Sequence, residues 1–105
     1  MKPVLVLTTC AADFDARALA QALVEARVAA CVNIVPGVQS VYRWEGLVAS
    51  DDEQLLIIKT TDERVEALRE ALFARHPYDV PEFVVMPVDA TSDAYGAWLV
   101  QSVAP

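Results

Sequence analysis

Four short apolar runs punctuate the chain: Val4–Leu7, Val32–Val35 continued by Val38–Trp44, Leu55–Ile58, and Phe83–Met86. Each is rich in β-branched residues and bounded by Pro, Gly, Asp or Thr, so each reads as a strand. Two segments between them carry helical period instead. In the first, Asp13 is placed to cap the N-terminus, and Leu19, Ala22, Leu23 and Ala26 recur at i, i+3, i+4, i+7. Arg17, Gln21 and Glu25 then mark the wet face, with Asp13 and Arg17 a favourable i, i+4 pair. In the second, Thr60 or Thr61 is the cap, Asp62 and Glu63 suit the positive end of the dipole, and Val65, Leu68 and Leu72 form the stripe. His76 falls in the last turn, where Pro77 stops the helix. Glu45-Gly46 has the chemistry of a tight hairpin turn, and Ser92–Ser102 reads as a short helix with Tyr95, Trp98 and Leu99 on one side.

The predicted order is β-α-β-β-α-β-α, with no repeat, linker or low-complexity stretch. This is the order of an α+β, ferredoxin-like βαββαβ fold: an antiparallel sheet with both main helices on one face, a long central hairpin and a short C-terminal helix, as one domain over residues 1–105. One feature of the pattern conflicts with a sheet covered on one face only. Such strands should alternate apolar and polar residues. Val4-Leu5-Val6-Leu7, Leu55-Leu56-Ile57-Ile58 and Phe83-Val84-Val85-Met86 are apolar at every position. The second face therefore needs cover, either from further copies of the chain or from the C-terminal helix and hairpin folding back over it.

Composition narrows the partners. Hydrophobic residues make up 55% of the 105 residues, but no apolar run approaches the ~18 residues of a membrane span. The formal charge is −7, and the arginines are scattered. A nucleic-acid reader needs a basic stripe to replace condensed counterions, and none is present. Anionic membranes are disfavoured on the same ground, and cations are the more natural partners. The apolar stretch after Met1-Lys2-Pro3 is shorter than a signal-peptide core of ~7–15 residues and reads as the first strand, so the cytoplasm is the expected compartment. Cys10 and Cys31, two thiols without Cys-x-x-Cys spacing, suit a reducing compartment.

The richest polar segment is His76-Pro77-Tyr78-Asp79-Val80-Pro81-Glu82, in which two prolines and an aromatic make a stiff connector. Its imidazole and carboxylate are candidates for a metal or small-ligand site, or His76 simply favours the negative end of its helix. Lys59, after four apolar residues, is a strand-end lysine or the partner of a carboxylate such as Glu53 or Glu82. Asp51-Asp52-Glu53 can attract divalent cations but lacks the Gly-centred spacing of a calcium loop. Cys10 and Cys31 are soft ligands for monovalent copper, yet a right-handed βαβ unit puts them at opposite ends of the sheet, and Cys31 reads as a small core residue. Enzyme templates fail: there is one His, no Gly-x-Ser-x-Gly and no Gly-rich phosphate loop. The loop after strand one, Thr8 to Asp13, has none of the Arg that an acylphosphatase uses to hold phosphate.

Several segments together resemble one family. They are Ala29–Gly37, Ser40–Gly46, Ile58–Thr61, His76-Pro77-Tyr78 with Pro81-Glu82, and Tyr95 with Trp98-Leu99, in order along almost the whole chain. The set is similar to the CutA divalent-cation tolerance family. The resemblance implies a ferredoxin-like homotrimer held through extended strands, a link to copper and other divalent cations, and no established enzymatic activity. It also implies a comparison with the trimeric PII signalling proteins, which bind ligands between subunits. The family's cleft positions fall on Tyr42, Trp44, Glu45, Glu53, Lys59, Tyr78, Glu82 and Tyr95, with His76 and Cys10 as the candidate metal ligands. Two ligand positions depart from the pattern: Thr8 stands where some members have a strand-end Cys, and Arg75-His76 replaces a His-His pair. Two functions follow as expectations. One is a trimer that binds copper or another divalent cation; the other is a PII-like module whose ligand is organic or a partner protein.

Overall fold

The computed structural model describes Met1–Pro105. Its elements are β1 (Pro3–Ala11), α1 (Ala16–Glu25), β2 (Cys31–Trp44), β3 (Leu47–Thr61), a 3-10 turn (Asp62–Arg64) leading into α2 (Val65–Phe73), β4 (Val84–Pro87) and α3 (Asp93–Ser102). The strands form one antiparallel sheet in the order β2-β3-β1-β4. The first strand is thus flanked by the third and fourth, with Val6 opposite Ile58 on one side and Val85 on the other. This is the ferredoxin-like α+β fold that the element order implies.

α1 and α2 seal one face. Val4, Val6 and Cys10 of β1 and Leu56 and Ile58 of β3 meet Leu19 and Leu23 of α1 and Leu68 and Leu72 of α2 in a single buried cluster. Burying each large aliphatic side chain contributes about 1.5–3 kcal/mol, so this layer dominates the favourable side of folding. The other face is covered in part. Leu99 of α3 and Val103 just after it close over Ala30, while Val84 and Met86 of β4 stay exposed on this face. Within one chain the C-terminal helix therefore answers only some of the demand that the doubly apolar strands create.

Beyond Glu53, β3 has only β2 as a neighbour, and the two continue as a hairpin arm from Val38 opposite Glu53 to Trp44 opposite Leu47. A register shift between Val35 and Val38 sets the arm off from the sheet. It falls at Pro36, which has no N–H for the ladder, and Gly37, whose φ of 74° suits a residue without Cβ. At the tip, Glu45 (φ 51°) and Gly46 (φ 80°) both take positive φ, as in a type I′ turn. The arm makes the molecule elongated, 44 × 25 × 22 Å.

Several local expectations are corrected. The cap of α1 is Asp15, whose Oδ1 accepts from the Ala18 N–H at 3.0 Å. Asp13 lies outside the helix and forms no pair with Arg17, because Phe14 and Asp15 complete a turn first. The buried stripe of α1 is Ala16, Leu19, Ala20 and Leu23, and Ala26 is exposed at the C-cap. Thr61, one of the two expected candidates, is the N-cap residue of the 3-10 turn leading into α2, but neither threonine caps through its side chain. Thr60 donates to the Val28 carbonyl at 2.8 Å, and the Thr61 hydroxyl is buried without a partner. The carboxylate of Asp62, the first residue of the turn, accepts from Glu63 N–H (3.0 Å) and Lys2 N–H (2.8 Å), and the Lys2 bond above all holds its carboxyl below the usual range. α2 ends at Phe73, three residues before His76. β4 starts one residue late, since Phe83 turns inward to meet Phe73 edge-on at 5.8 Å. Cys31 is only half-buried and lies opposite Lys59, outside the core.

Candidate functional site

The connector after α2 supplies the centre of the site. Its rigidity comes from Pro77 and Pro81, and its anchor is His76, 8% exposed. The imidazole Nε2 lies 2.7 Å from the Thr9 carbonyl oxygen, and Nδ1 is 3.2 Å from the Tyr78 N–H. A carbonyl only accepts and an amide N–H only donates, so the proton sits on Nε2 and both ring nitrogens are engaged. Phe14 stacks on one side of the ring at 6.3 Å, and Tyr78 meets it edge-on at 4.8 Å. From there Tyr78 reaches the sheet and donates its hydroxyl to Glu53 Oε2 at 2.7 Å. Burial first, then the bond to Glu53 and its charge, push the Tyr78 phenol far above its ordinary value, so it remains a donor throughout the physiological range.

Between this connector and the base of the arm lies a cleft of about 940 Å³, near the upper end for small-molecule sites. Of the predicted cleft residues, Tyr42, Trp44, Glu53, Tyr78 and Glu82 line it. Asp51, Asp52 and Asp79 add carboxylates, and no Lys or Arg lines the walls. The Tyr42 hydroxyl donates to Asp51 Oδ2, which raises that phenol in turn. The remaining predicted residues lie elsewhere in the chain. Glu45 is at the arm's tip. Lys59 is six residues along β3 from Glu53, roughly 20 Å away at strand rise, and meets Tyr95 rather than a carboxylate: Nζ is 3.2 Å from the Tyr95 hydroxyl and 5.5 Å from the ring centroid. Tyr95 also packs on Trp98 at 5.4 Å.

The two candidate metal ligands are close in the fold but poorly disposed. Cys10 is buried, and burial, followed by the Glu53 charge, raises its thiol and keeps it protonated. His76 has no free nitrogen lone pair. No three His, Cys, Asp or Glu side chains of the chain are grouped to hold a metal ion. Sequence reasoning missed Gln54, whose Nε2 donates to the carbonyls of Ala11 (2.9 Å) and Phe14 (3.0 Å) and fixes the loop beneath His76. A polar residue between an acidic run and four apolar ones was the available signal. It missed the Tyr42–Asp51 contact as well, although the Glu45-Gly46 turn sets Tyr42 opposite Ala49 and so diagonal to Asp51.

The fold and the cleft define a small ferredoxin-like protein with an extended central hairpin and an acidic, aromatic-walled recess at its base. Residues 4–102 match the family described as CutA1 divalent ion tolerance protein. The chloroplastic protein CutA of Arabidopsis thaliana is 54% identical over 84 residues, 80% of this chain, which spans only 46% of that protein's length. The divalent cation tolerance protein of Thermus thermophilus superposes with a TM-score of 0.93 at 46% identity, covering 97% of this chain and 99% of that one. CutA of Synechococcus elongatus, solved as a complex with Bis-Tris, superposes with a TM-score of 0.87 at 46% identity over 96% of this chain and 93% of that one. The chain belongs to the CutA1 divalent ion tolerance family. That is not a known enzyme family, and no helix of the chain is long and apolar enough to cross a membrane.

Proposed function

We propose that residues 1–105 act as one domain within a homotrimer that takes part in the response to divalent cations, with the acidic cleft as its ligand site. The observation that carries this reading is an apolar surface left open beside an acidic recess. Leu47 and Val48 on the arm are 74% and 68% exposed, and Val84 and Met86 lie uncovered on an edge strand. Exposed apolar edges of this kind invite pairing with further chains. A neighbour seated there brings its own side chains to the cleft, supplying copper or another divalent cation with ligands that one chain lacks, and setting Lys59 and Tyr95 of one copy near Glu82 of the next. The net charge of −7 supports cations as partners over nucleic acid or anionic membrane, and the free thiols suit the cytoplasm. Light scattering with size exclusion should give three times the 11.4 kDa chain mass at micromolar concentration, and Met86→Asp should shift it downward. A monodisperse monomer refutes the assembly. Calorimetric titration of copper at neutral pH, with His76→Ala and Glu53→Gln, tests the cation role, and heat absent from all three proteins refutes it.

A second reading, a PII-like module for an organic ligand, is favoured by the chain's own donor set. His76 is fully engaged, Thr8 replaces a strand-end thiol, and the recess is far larger than a bare ion needs. The Bis-Tris bound to the Synechococcus relative is an organic amine, in keeping with this reading.

A further inference from the structure

The geometry points to an organic ammonium ion as the ligand of the cleft, with Glu53 as its counter-ion and the rings of Tyr42, Trp44 and Tyr78 as its walls. This rests on the reading of the cleft as a binding site and names the chemistry it takes.

The first ground is an uncompensated charge. Glu53 is 6% exposed, yet no Lys, Arg or His forms an ion pair with it; the ion pairs in the chain are Met1–Glu63 and Arg69–Glu66, both remote. Its Oε2 accepts from Tyr78, and Oε1 has no donor within the chain. Oε1 is the oxygen left open to the cleft, and a carboxylate otherwise so largely buried is stabilised more by a cation at that oxygen than by water. The second ground is the wall chemistry. Tyr42 and Tyr78 direct their hydroxyls at Asp51 and Glu53, which leaves the rings as apolar surfaces facing the recess beside Trp44. Aromatic faces next to carboxylates attract ammonium groups on an organic frame, through the ring quadrupole together with ordinary burial.

A bare divalent ion fits these walls less well. Calcium takes six to eight oxygen ligands, and copper and zinc take convergent nitrogen or sulfur donors. The chain groups no three such side chains, and the space is about 940 Å³. An ammonium needs only one well-placed carboxylate and spreads the rest of its contact over the rings. Within one chain the carboxylates of Asp51, Asp79 and Glu82 line the same recess without a basic residue among them, which disfavours an anionic ligand.

The test is calorimetric titration of the assembled protein with spermidine at 0.15 M salt, against 1,8-octanediol as a neutral probe of similar length. Spermidine binding is expected and octanediol binding is not. Glu53→Gln, which still accepts from Tyr78, should weaken spermidine at least ~10-fold, about 1.4 kcal/mol. Asp89→Asn, an exposed acid beyond β4 at the opposite end of β1 from the cleft, should leave it unchanged and so separates a site from diffuse attraction to an acidic protein. Should Glu53→Gln fail to assemble, Glu82→Gln, on the connector side of the cleft, provides the same comparison. Equal binding of both probes, or equal losses in Glu53→Gln (or its Glu82→Gln substitute) and Asp89→Asn, overturns the inference. If spermidine does not bind but copper binds in a manner that needs Glu53, the ammonium assignment fails and the cleft stands as a cation site. If neither binds, both fall.

Discussion

Replacing Tyr78 with Phe removes one oxygen atom and leaves the charge beneath it without a donor. The Tyr78 hydroxyl, 2.7 Å from Oε2, is the one hydrogen-bond donor to Glu53. A hydrogen bond to a charged group contributes roughly 1.5–3 kcal/mol. The ring itself stays packed on His76, so the change isolates that bond, and water in the cleft replaces part of it. The expected loss is about 2 kcal/mol per chain. Urea unfolding at fixed protein concentration should show a lower midpoint with an unchanged slope, since the surface exposed on unfolding is the same. A second readout is alkaline pH. The folded protein holds the Tyr78 proton more tightly than the unfolded chain, so this contribution to stability is complete below the ordinary phenol value near 10 and is lost as pH rises above it. Cys10 acts in the same sense from its ordinary value of 9.0 upward. The Tyr42 phenol, raised by its bond to Asp51, acts likewise, so wild type loses stability through three groups and Tyr78→Phe through Cys10 and Tyr42 only. The two curves, separated at neutral pH, should converge above pH ~10. Equal neutral stability, or parallel alkaline slopes, would refute the reasoning.

Gln54→Leu deprives the Ala11 and Phe14 carbonyls of their donor and should cost about 2 kcal/mol, two neutral bonds at roughly 1 kcal/mol each, by the same urea measurement. Gln54→Glu should be worse, because a carboxylate then faces carbonyl oxygens; a neutral outcome for both refutes the staple. Leu68→Ala opens a cavity in the sealed layer and should destabilise by roughly 2–5 kcal/mol in thermal or urea unfolding, and a change below ~1 kcal/mol contradicts the burial. Both cysteines should alkylate after denaturation without reductant. Cys10 lies opposite Gln54 and Cys31 opposite Lys59, about 16 Å apart along β3 against a disulfide limit of ~7 Å, so an intrachain disulfide in the native protein refutes the register.

The fold was legible because period, turn chemistry and order agreed. Val4–Leu7 and Leu55–Ile58 could only be strands, and Glu45-Gly46 fixed the hairpin register. Caps were misread where two candidates stood side by side. Asp13 and Asp15 both precede an apolar stripe, and only the turn at Phe14 selects the second. At α2 the Lys2 N–H, supplied by the far end of the chain, makes Asp62 the anchor. The candidate site was half legible for a related reason. Tyr78, Glu82 and Glu53 were picked out by chemistry, but their meeting depends on β1 carrying Thr9 beneath His76. Lys59 was assigned to the same cleft although strand rise along β3 already separates it from Glu53. No local pattern carries the engagement of both His76 nitrogens, since one partner is a carbonyl on a distant strand.

β1 is made before the other three strands and finishes in the middle of the sheet, which sets a timetable for synthesis. Its two neighbours come from much later in the chain, and Leu7 waits for Ile57 and then for Val84. At ~5–20 residues per second, the last partner emerges on the order of ten seconds after the strand itself. Until then Val4–Leu7 is a short β-branched segment with free N–H and C=O groups along at least one edge, the form of chain most prone to pair with a stranger. The loop closures that rescue it are long, and long closures are slow. Conditions that stall translation between β3 and β4 should therefore yield aggregates nucleated by the N-terminal strand, whatever the stability of the finished protein.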